Sequence, residues 1–386
     1  SNLMTGRPVR LLLIFILLLQ ACDDQSTQAP TLDLMNILGG EATQGFERAI
    51  DIRQFQFPKD HASHQGFRNE WWYFTGNLVS EDGKHFGYQV TFFRTSLSPP
   101  KEPLGKAQNQ ESSWVVQDIW MAHAALTDIH DQQHHALQRF SRAGPALAGA
   151  TVDPLNIWLD DWQVISKPSF NKSNEFPWQV TINTDDFSLE LDLTAVKPPV
   201  LQGDRGLSQK SAPIGNASYY YSYSRLLTTG KVRIGNNDYP VTGTSWFDRE
   251  WSTSALDKGQ TGWDWFSLQF DTGEDLMYYQ LRDLQGNADG NSQGSWIDEK
   301  GGKTPINEQD MQLNVLKEWR NDDGQAYPVH WQMDYGDQSW IIQAAVEDQF
   351  MDLAVPYWEG SVKIYDTTSM NLLGRGYLEM TRIKPV

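Results

Sequence analysis

The sequence predicts an all-β protein made of two related sheet domains. Two observations carry that reading: aromatic and β-branched runs separated by turn residues, and an internal repeat. The densest run is Phe67-Arg68-Asn69-Glu70-Trp71-Trp72-Tyr73-Phe74-Thr75-Gly76-Asn77-Leu78. Such residues favour a pleated, half-buried surface. Ser80-Glu81-Asp82-Gly83-Lys84 follows as a hairpin turn, and His85 to Arg94 as its second strand. Phe247–Trp251 repeats the Phe-x-x-Glu-Trp frame of Phe67–Trp71. Trp72, Tyr88 and Gln89 recur as Trp263, Tyr279 and Gln280 at one constant offset, so Ser252 to Gly262 reads as an insertion. A repeat this long implies two domains, not a short-period solenoid.

Further strands are expected at Trp114–Asp128 (where a helix competes), Ile157–Val164, Trp178–Asn183 and Phe187–Thr194. Lys197 to Ser211 reads as a loop. In Tyr219-Tyr220-Tyr221-Ser222-Tyr223, Tyr219, Tyr221 and Tyr223 share one strand face, suited either to a flat ligand or to the opposite sheet. Val232–Ile234 and Tyr239–Thr244 flank the turn Gly235-Asn236-Asn237-Asp238. The second half continues similarly, from Trp263–Asp271 to Gly374–Thr381; few stretches show helical periodicity, and the best, Asn307–Lys317, is weak. Strands at this spacing suit a sandwich or closed barrel, and a barrel of about eight strands can hold a ligand inside.

Length and charge bound the rest. A chain of 386 residues suits two domains, and 16 Trp, 17 Phe and 14 Tyr can fill large cores or line apolar cavities. The formal charge of −18 excludes a nucleic-acid partner, which needs a basic face, and broad attachment to anionic lipid. One cysteine, Cys22, permits neither an intramolecular disulfide nor a Cys-based metal cluster.

Residues 1–21 read as a targeting segment: Arg7 and Arg10, then the apolar run Leu11–Leu19, then Ala21. The run is too short to span a bilayer. Leu18-Leu19-Gln20-Ala21-Cys22 resembles a bacterial lipoprotein lipobox, which implies lipidation at Cys22. Asp23 and Asp24 resemble a signal for retention at the inner membrane. Residues 22–45 form a polar tether, 46–252 the first β domain and 253–386 the second.

The charged residues in otherwise aromatic strands are the candidate site: Glu70, Asp248, Arg249 and Glu250. They suit a buried ion-pair set or a ligand-facing polar site, and both can hold at once. Asp248 and Glu250 are the candidate acids. Glu70, Trp71, Trp72, Tyr88, His123, Tyr221, Arg249, Trp251, Trp263 and Tyr279 are the candidate ligand contacts. His130, His134 and His135 lie in a polar turn without the Glu of a zincin motif, so no metal is expected, and no cofactor. No Gly-x-Ser-x-Gly elbow and no phosphate-binding Gly-x-x-x-x-Gly-Lys-[Ser/Thr] loop occurs.

At Glu70–Tyr73, Trp246–Trp251 and His123–Asp128 the chain resembles the AttH/carotenoid 1,2-hydratase family of twin lipocalin-like proteins. The resemblance spans about residues 50 to 386. It implies two lipocalin-like antiparallel β-barrels packed side by side and an apolar ligand held in or between them. In the hydratases one segment reads Asp-His-Asn-Trp; here it is Asp248-Arg249-Glu250-Trp251, so the His has become Arg249, which cannot donate a proton near neutral pH. The expected function is therefore binding of a hydrophobic, lipid- or isoprenoid-like molecule by a lipid-anchored protein on the periplasmic side of the bacterial envelope, beside an ABC-type export or lipid-trafficking system. The alternative is a hydratase-like lyase or isomerase acting on an unsaturated lipid by acid catalysis.

Overall fold

The computed structural model describes residues 43–100, 117–168 and 175–382. Cys22, the leader and Trp114 lie outside the described residues. Those described belong to one compact unit and form two curled antiparallel sheets with no α-helix among them.

The first sheet contains β1 (Asn69–Ser80), β2 (His85–Ser96), β3 (Asp118–Asp128), β4 (Gln133–Arg142), β5 (Ala148–Thr151), β6 (Asn156–Leu159), β7 (Trp162–Ser166), β8 (Trp178–Asn183), β9 (Phe187–Ala195), β10 (Val200–Leu201), β11 (Leu207–Gln209), β12 (Ala217–Ile234) and β13 (Asn237–Ser252). Its order is β4-β3-β2-β1-β13-β12-β9-β8-β7-β6-β5, with β10 and β11 on the edge of β12. The second sheet contains β14 (Gln260–Phe270), β15 (Asp275–Asp283), β16 (Gln293–Ile297), β17 (Lys303–Asn307), β18 (Met311–Arg320), β19 (Ala326–Tyr335), β20 (Gln338–Ala344), β21 (Phe350–Met351), β22 (Tyr357–Asp366) and β23 (Leu372–Met380). Its order is β17-β16-β15-β14-β23-β22-β20-β19-β18. Both sheets follow one plan. A hairpin opens the domain at the centre of the sheet, and the domain's last long strand pairs beside its first.

The repeat is thus present in topology, and the constant offset correctly equates β1 with β14. The other half of the motif differs. Phe247–Trp251 does not open the second domain; it ends β13 and pairs antiparallel with β1, Glu70 opposite Trp251 and Trp71 opposite Glu250. Ser252–Gly262 is correspondingly not an insertion within a repeat; it runs from the end of the first sheet into the start of the second. Local turns explain other departures. Ile157–Val164 is two strands, because Asp160 takes a left-handed φ of 52° and closes the β6–β7 hairpin. The weakly helical Asn307–Lys317 is a short 3-10 turn leading into β18, which β19 recruits by pairing. The Lys197–Ser211 loop contributes β10 and β11, and His134 and His135 belong to β4.

Burial shows how the sheets meet. On β8 and β9 buried and accessible residues alternate, one face against the core and one against water. On β1, β2 and the first half of β12 burial is nearly continuous, because both faces are covered. The inner face of the first sheet packs Trp72, Phe74, Tyr88, Trp178, Tyr221 and Phe247 into one core. The outer face carries Tyr73, Phe93, Tyr220 and Trp246 against Trp265, Met277, Tyr279 and Tyr377 of the second sheet. Polar pins cross this layer. Asp275 takes Lys197 and Arg225, each at 2.7 Å, and Asn77 Nδ2 donates to the Gly376 carbonyl at 3.0 Å. Gly87 is required by the close approach: a Cβ there would lie 2.8 Å from both the Ser361 Cβ and the Tyr377 hydroxyl. Gly87→Val should cost about 1–3 kcal/mol by forcing the sheets apart, read as a lower urea midpoint; an unchanged midpoint would show that the layer is loosely packed.

Candidate functional site

Strand pleating sorts the candidate residues into two places. Along β13, Phe247, Arg249 and Trp251 point into the first sheet's interior, while Trp246, Asp248 and Glu250 point at the second sheet. Six of the predicted side chains, Asp248, Glu250, Trp71, His123, Trp263 and Tyr279, line one cavity between the sheets. The other six, Glu70, Trp72, Tyr88, Tyr221, Arg249 and Trp251, are fully buried on the opposite face and do not reach it. There they pack and pair with one another. They belong to the first sheet's buried interior.

Within that interior Glu70 anchors an ion cluster. Arg94 Nε and Arg249 Nη2 each donate to it at 2.7 Å, and the His64 backbone N–H at 2.6 Å. Burial opposes the Glu70 charge, but the two guanidinium groups hold its carboxyl well below the usual range. Arg249 lies 4.1 Å over the Trp72 ring and also donates to the Ala62 carbonyl; His64 stacks on Trp251 at 3.8 Å. The cluster therefore ties the strap before β1 to the end of the sheet. Tyr221 meets His61 in the same interior, and Tyr88 bonds Ser245 at 2.6 Å.

The cavity measures about 180 Å³. Trp71, Tyr73, Phe93 and Met121 form one wall, Trp263, Trp265 and Leu281 the other, and Ala255 and Leu256 of the connecting segment also border it. Into this apolar space come ionisable groups from both sheets. Asp248 accepts from Ser222, Tyr220 and Trp246, each at 2.6 Å. Burial nonetheless pushes its carboxyl up to about 7, aided by the charge of Glu250 and against the pull of those neutral donors. Trp265 donates to the Tyr220 hydroxyl at 3.2 Å, so a chain of bonds runs from the second sheet to Asp248. Glu250 accepts from Ser218 at 2.6 Å and stands 3.4 Å from Lys210. Burial disfavours the Lys210 charge, but Glu250 and Tyr279 hold its pKa above the ordinary value, with Nζ 3.9 Å from the Tyr279 ring centre. Glu379 accepts from Trp263 at 2.8 Å and is pushed by burial to about 7. His123 pairs with the Tyr357 hydroxyl at 2.7 Å; burial lowers its pKa to about 4, so the ring is neutral near pH 7. Its Nε2 has no partner.

The arrangement holds two carboxyl groups poised near neutrality, one neutral imidazole and one lysine–glutamate pair in a largely apolar enclosure. It can donate and accept protons at a bound apolar molecule. Sequence reading missed Arg94, His64, Lys210, Tyr220, Tyr357, Glu359 and Glu379. Glu359 and Glu379 carry the same signal as Asp248, a lone acid inside an aromatic strand (Tyr357-Trp358-Glu359, Tyr377-Leu378-Glu379). Lys210 gave none, since it lies in a polar loop. The His130–His135 stretch stays apart from the cavity: His134 bonds Thr127 at 2.8 Å.

Twin curled sheets of one topology, packed around an aromatic cavity, define a lipocalin-like double-domain protein. The AttH-like family model matches residues 48–382, and the chain belongs to that family. A crystal structure described as a candidate AttH from Nitrosomonas europaea is 30% identical, with a TM-score of 0.76 over 88% of this chain and all of that one. Kievitone hydratase from Nectria haematococca shares the fold at 13% identity, with a TM-score of 0.63 over 88% of this chain and 96% of its own. CghA, solved with Sch210972, follows at 11% identity and 0.52, over 90% and 98%. No curated protein matches the chain.

Two expectations follow from the electrostatics. Arg249→Ala leaves Glu70 buried with half its cationic support and should cost roughly 3–5 kcal/mol in denaturant unfolding. A loss below 1 kcal/mol would remove the ion cluster as a structural anchor. The raised carboxyls act in the other direction. Asp248 is about 7 in the fold against an ordinary 3.8, and Glu379 about 7 against 4.5. Their stabilising contribution is complete below about pH 4 and is lost as pH rises to about 7, at roughly 1.4 kcal/mol per pH unit for each group. Asp248→Asn should lower the slope of unfolding free energy between pH 5 and 7 by about 1.4 kcal/mol per pH unit; an unaltered slope would mean that Asp248 titrates normally.

Proposed function

We propose that this chain takes an apolar, unsaturated small molecule into the cavity between its sheets and transfers protons to it, with Asp248 as the acid. The observation that supports this best is a carboxyl held near pKa 7 among Trp71, Tyr73 and Trp265, the match of acid strength to working pH that general acid catalysis uses. Glu250, paired with Lys210, stands beside it. The fitting reaction class is hydration or isomerisation of a double bond. A volume of about 180 Å³ suits a ring system or a short unsaturated segment of a lipid or isoprenoid more than a whole lipid. The fold-level likeness to kievitone hydratase agrees with this class. Arg249 in place of the hydratases' His does not argue against it, since that side chain faces the ion cluster and His123 brings an imidazole to the cavity.

The same proposal carries the envelope setting. Cleavage before Cys22 and lipidation there anchor the protein at the periplasmic side of the membrane, where it serves an ABC-type export or lipid-trafficking system. The lipobox-like segment supports the anchor, and family resemblance supports the transporter.

Protein purified without detergent should carry an apolar ligand in native mass spectrometry, and Leu256→Trp, which fills the cavity, should come out empty. Asp248→Asn should keep the ligand within about threefold of wild-type occupancy and convert it at least 100-fold more slowly. A ligand that wild type leaves unchanged would make the protein a carrier without chemistry. An empty wild type, unable to take up hydrophobic probes, would end the proposal.

A further inference from the structure

We infer that Glu359 and Glu379 form one proton-sharing pair on the second-sheet wall of the cavity, the acid–base partner of Asp248 on the first. The inference rests on the proton chemistry just proposed, and it adds the residues that take up the second proton. The register of β22 and β23 places Glu359 directly opposite Glu379. Residues so opposed carry their Cβ atoms about 4.5–5.5 Å apart, and two like charges there repel. Glu359 is 1% exposed, while Glu379 is partly accessible and lines the cavity. Among the described residues no lysine or arginine stands within ion-pair distance of either carboxylate, so nothing offsets two negative charges in this position.

The hydrogen bonds say where a proton sits. The Tyr73 hydroxyl, from the first sheet, donates to Glu359 Oε1, and Trp263 Nε1 donates to Glu379 Oε1. Glu359 Oε2 is buried and has no hydrogen-bond partner. The two carboxyls face each other across the ladder. A proton held between them would relieve the repulsion and give the orphaned oxygen a partner. Burial pushes both groups up, Glu379 to about 7 and Glu359 well above its ordinary value. The titratable groups facing the pair reinforce this. Tyr73, Tyr357 and Tyr377 remain neutral, Asp248 and Glu250 contribute negative potential, and Lys210 is occupied by Glu250. Two coupled carboxyls in such surroundings share one proton and titrate as a unit.

The cavity then has an acid on one wall and a base on the other. In a hydration, the Asp248 proton forms a C–H bond with the π pair of the double bond. A water oxygen closes the C–O bond on the neighbouring carbon. The surplus water proton passes to the Glu379 carboxylate, which releases it to solvent as solvent returns a proton to Asp248. Water is the co-reactant and no electrons are gained or lost. Omitting water, loss of a proton from the ligand to Glu379 gives isomerisation.

Infrared difference spectra of the ligand-free protein at pH 7 test the pair without a substrate. Glu359→Gln and Glu379→Gln should each remove the same protonated-carboxyl C=O band, and the double variant should remove no more. Asp248→Asn should remove a different band. Two separate bands lost one by one, or no band attributable to the pair, would overturn the inference. If a variant does not fold by circular dichroism, wild type decides: 1,2-epoxy-3-(4-nitrophenoxy)propane should form one ester per chain, at Glu379. There the carboxylate attacks the epoxide carbon, the C–O bond opens and the oxygen takes the shared proton. A 4-nitrophenyl propyl ether that quenches tryptophan fluorescence, and so occupies the cavity, while the epoxide forms no ester at Glu379, would overturn the pair and leave the cavity reading intact. Failure of that ether and other apolar probes to bind would count against the cavity reading, while the infrared bands decide the pair on their own.

Discussion

Strand β13 is covered on both faces, and its period-two pleat has to dispose of three consecutive charges. Arg249 turns inward and finds Glu70, and Asp248 and Glu250 turn outward into the layer between the sheets. A register slip of one residue would bury Arg249 against the second sheet and put two carboxylates in the aromatic interior. Twelve paired positions with β1 and a long ladder with β12 hold that register. Both the ion cluster and the cavity depend on it.

The two faces resolve buried charge in opposite ways. Glu70 and Asp248 are both buried, and both accept several hydrogen bonds, yet the first is held well below and the second well above the usual carboxylate range. The difference lies in the donors. Glu70 faces two guanidinium groups, whose positive charge outweighs desolvation, and becomes a permanent anion that fastens the strap to the sheet. Asp248 faces a serine, a tyrosine and a tryptophan, whose dipoles soften desolvation without cancelling it. A group left near neutrality is of little use as an anchor and of much use as a proton donor.

The twin plan explains where a cavity can exist. Each sheet curls around its own core. The outer faces meet as two curved surfaces studded with large aromatic rings. Such surfaces match where glycine and serine permit contact, as at Gly87 and Ser361, and leave a gap where Trp71, Trp263 and Trp265 stand apart. The inter-sheet cavity is therefore a property of the domain pair and not of either sheet alone.

Much of this was legible in the residues themselves. Turn residues, aromatic strands and the offset that equates Trp72 with Trp263 gave an all-β chain with two similarly ordered sheets, and lone charges in aromatic strands marked Glu70, Asp248, Arg249 and Glu250. Local chemistry determines such features: turn conformations, strand preference, and the cost of burying a charge. Which face each charge takes, which strand adjoins which, and that Glu359 meets Glu379 or Arg94 meets Glu70, were decided only by the tertiary structure. They are contacts between segments distant in sequence, set by sheet register and by packing of one sheet on another, and no local pattern encodes them.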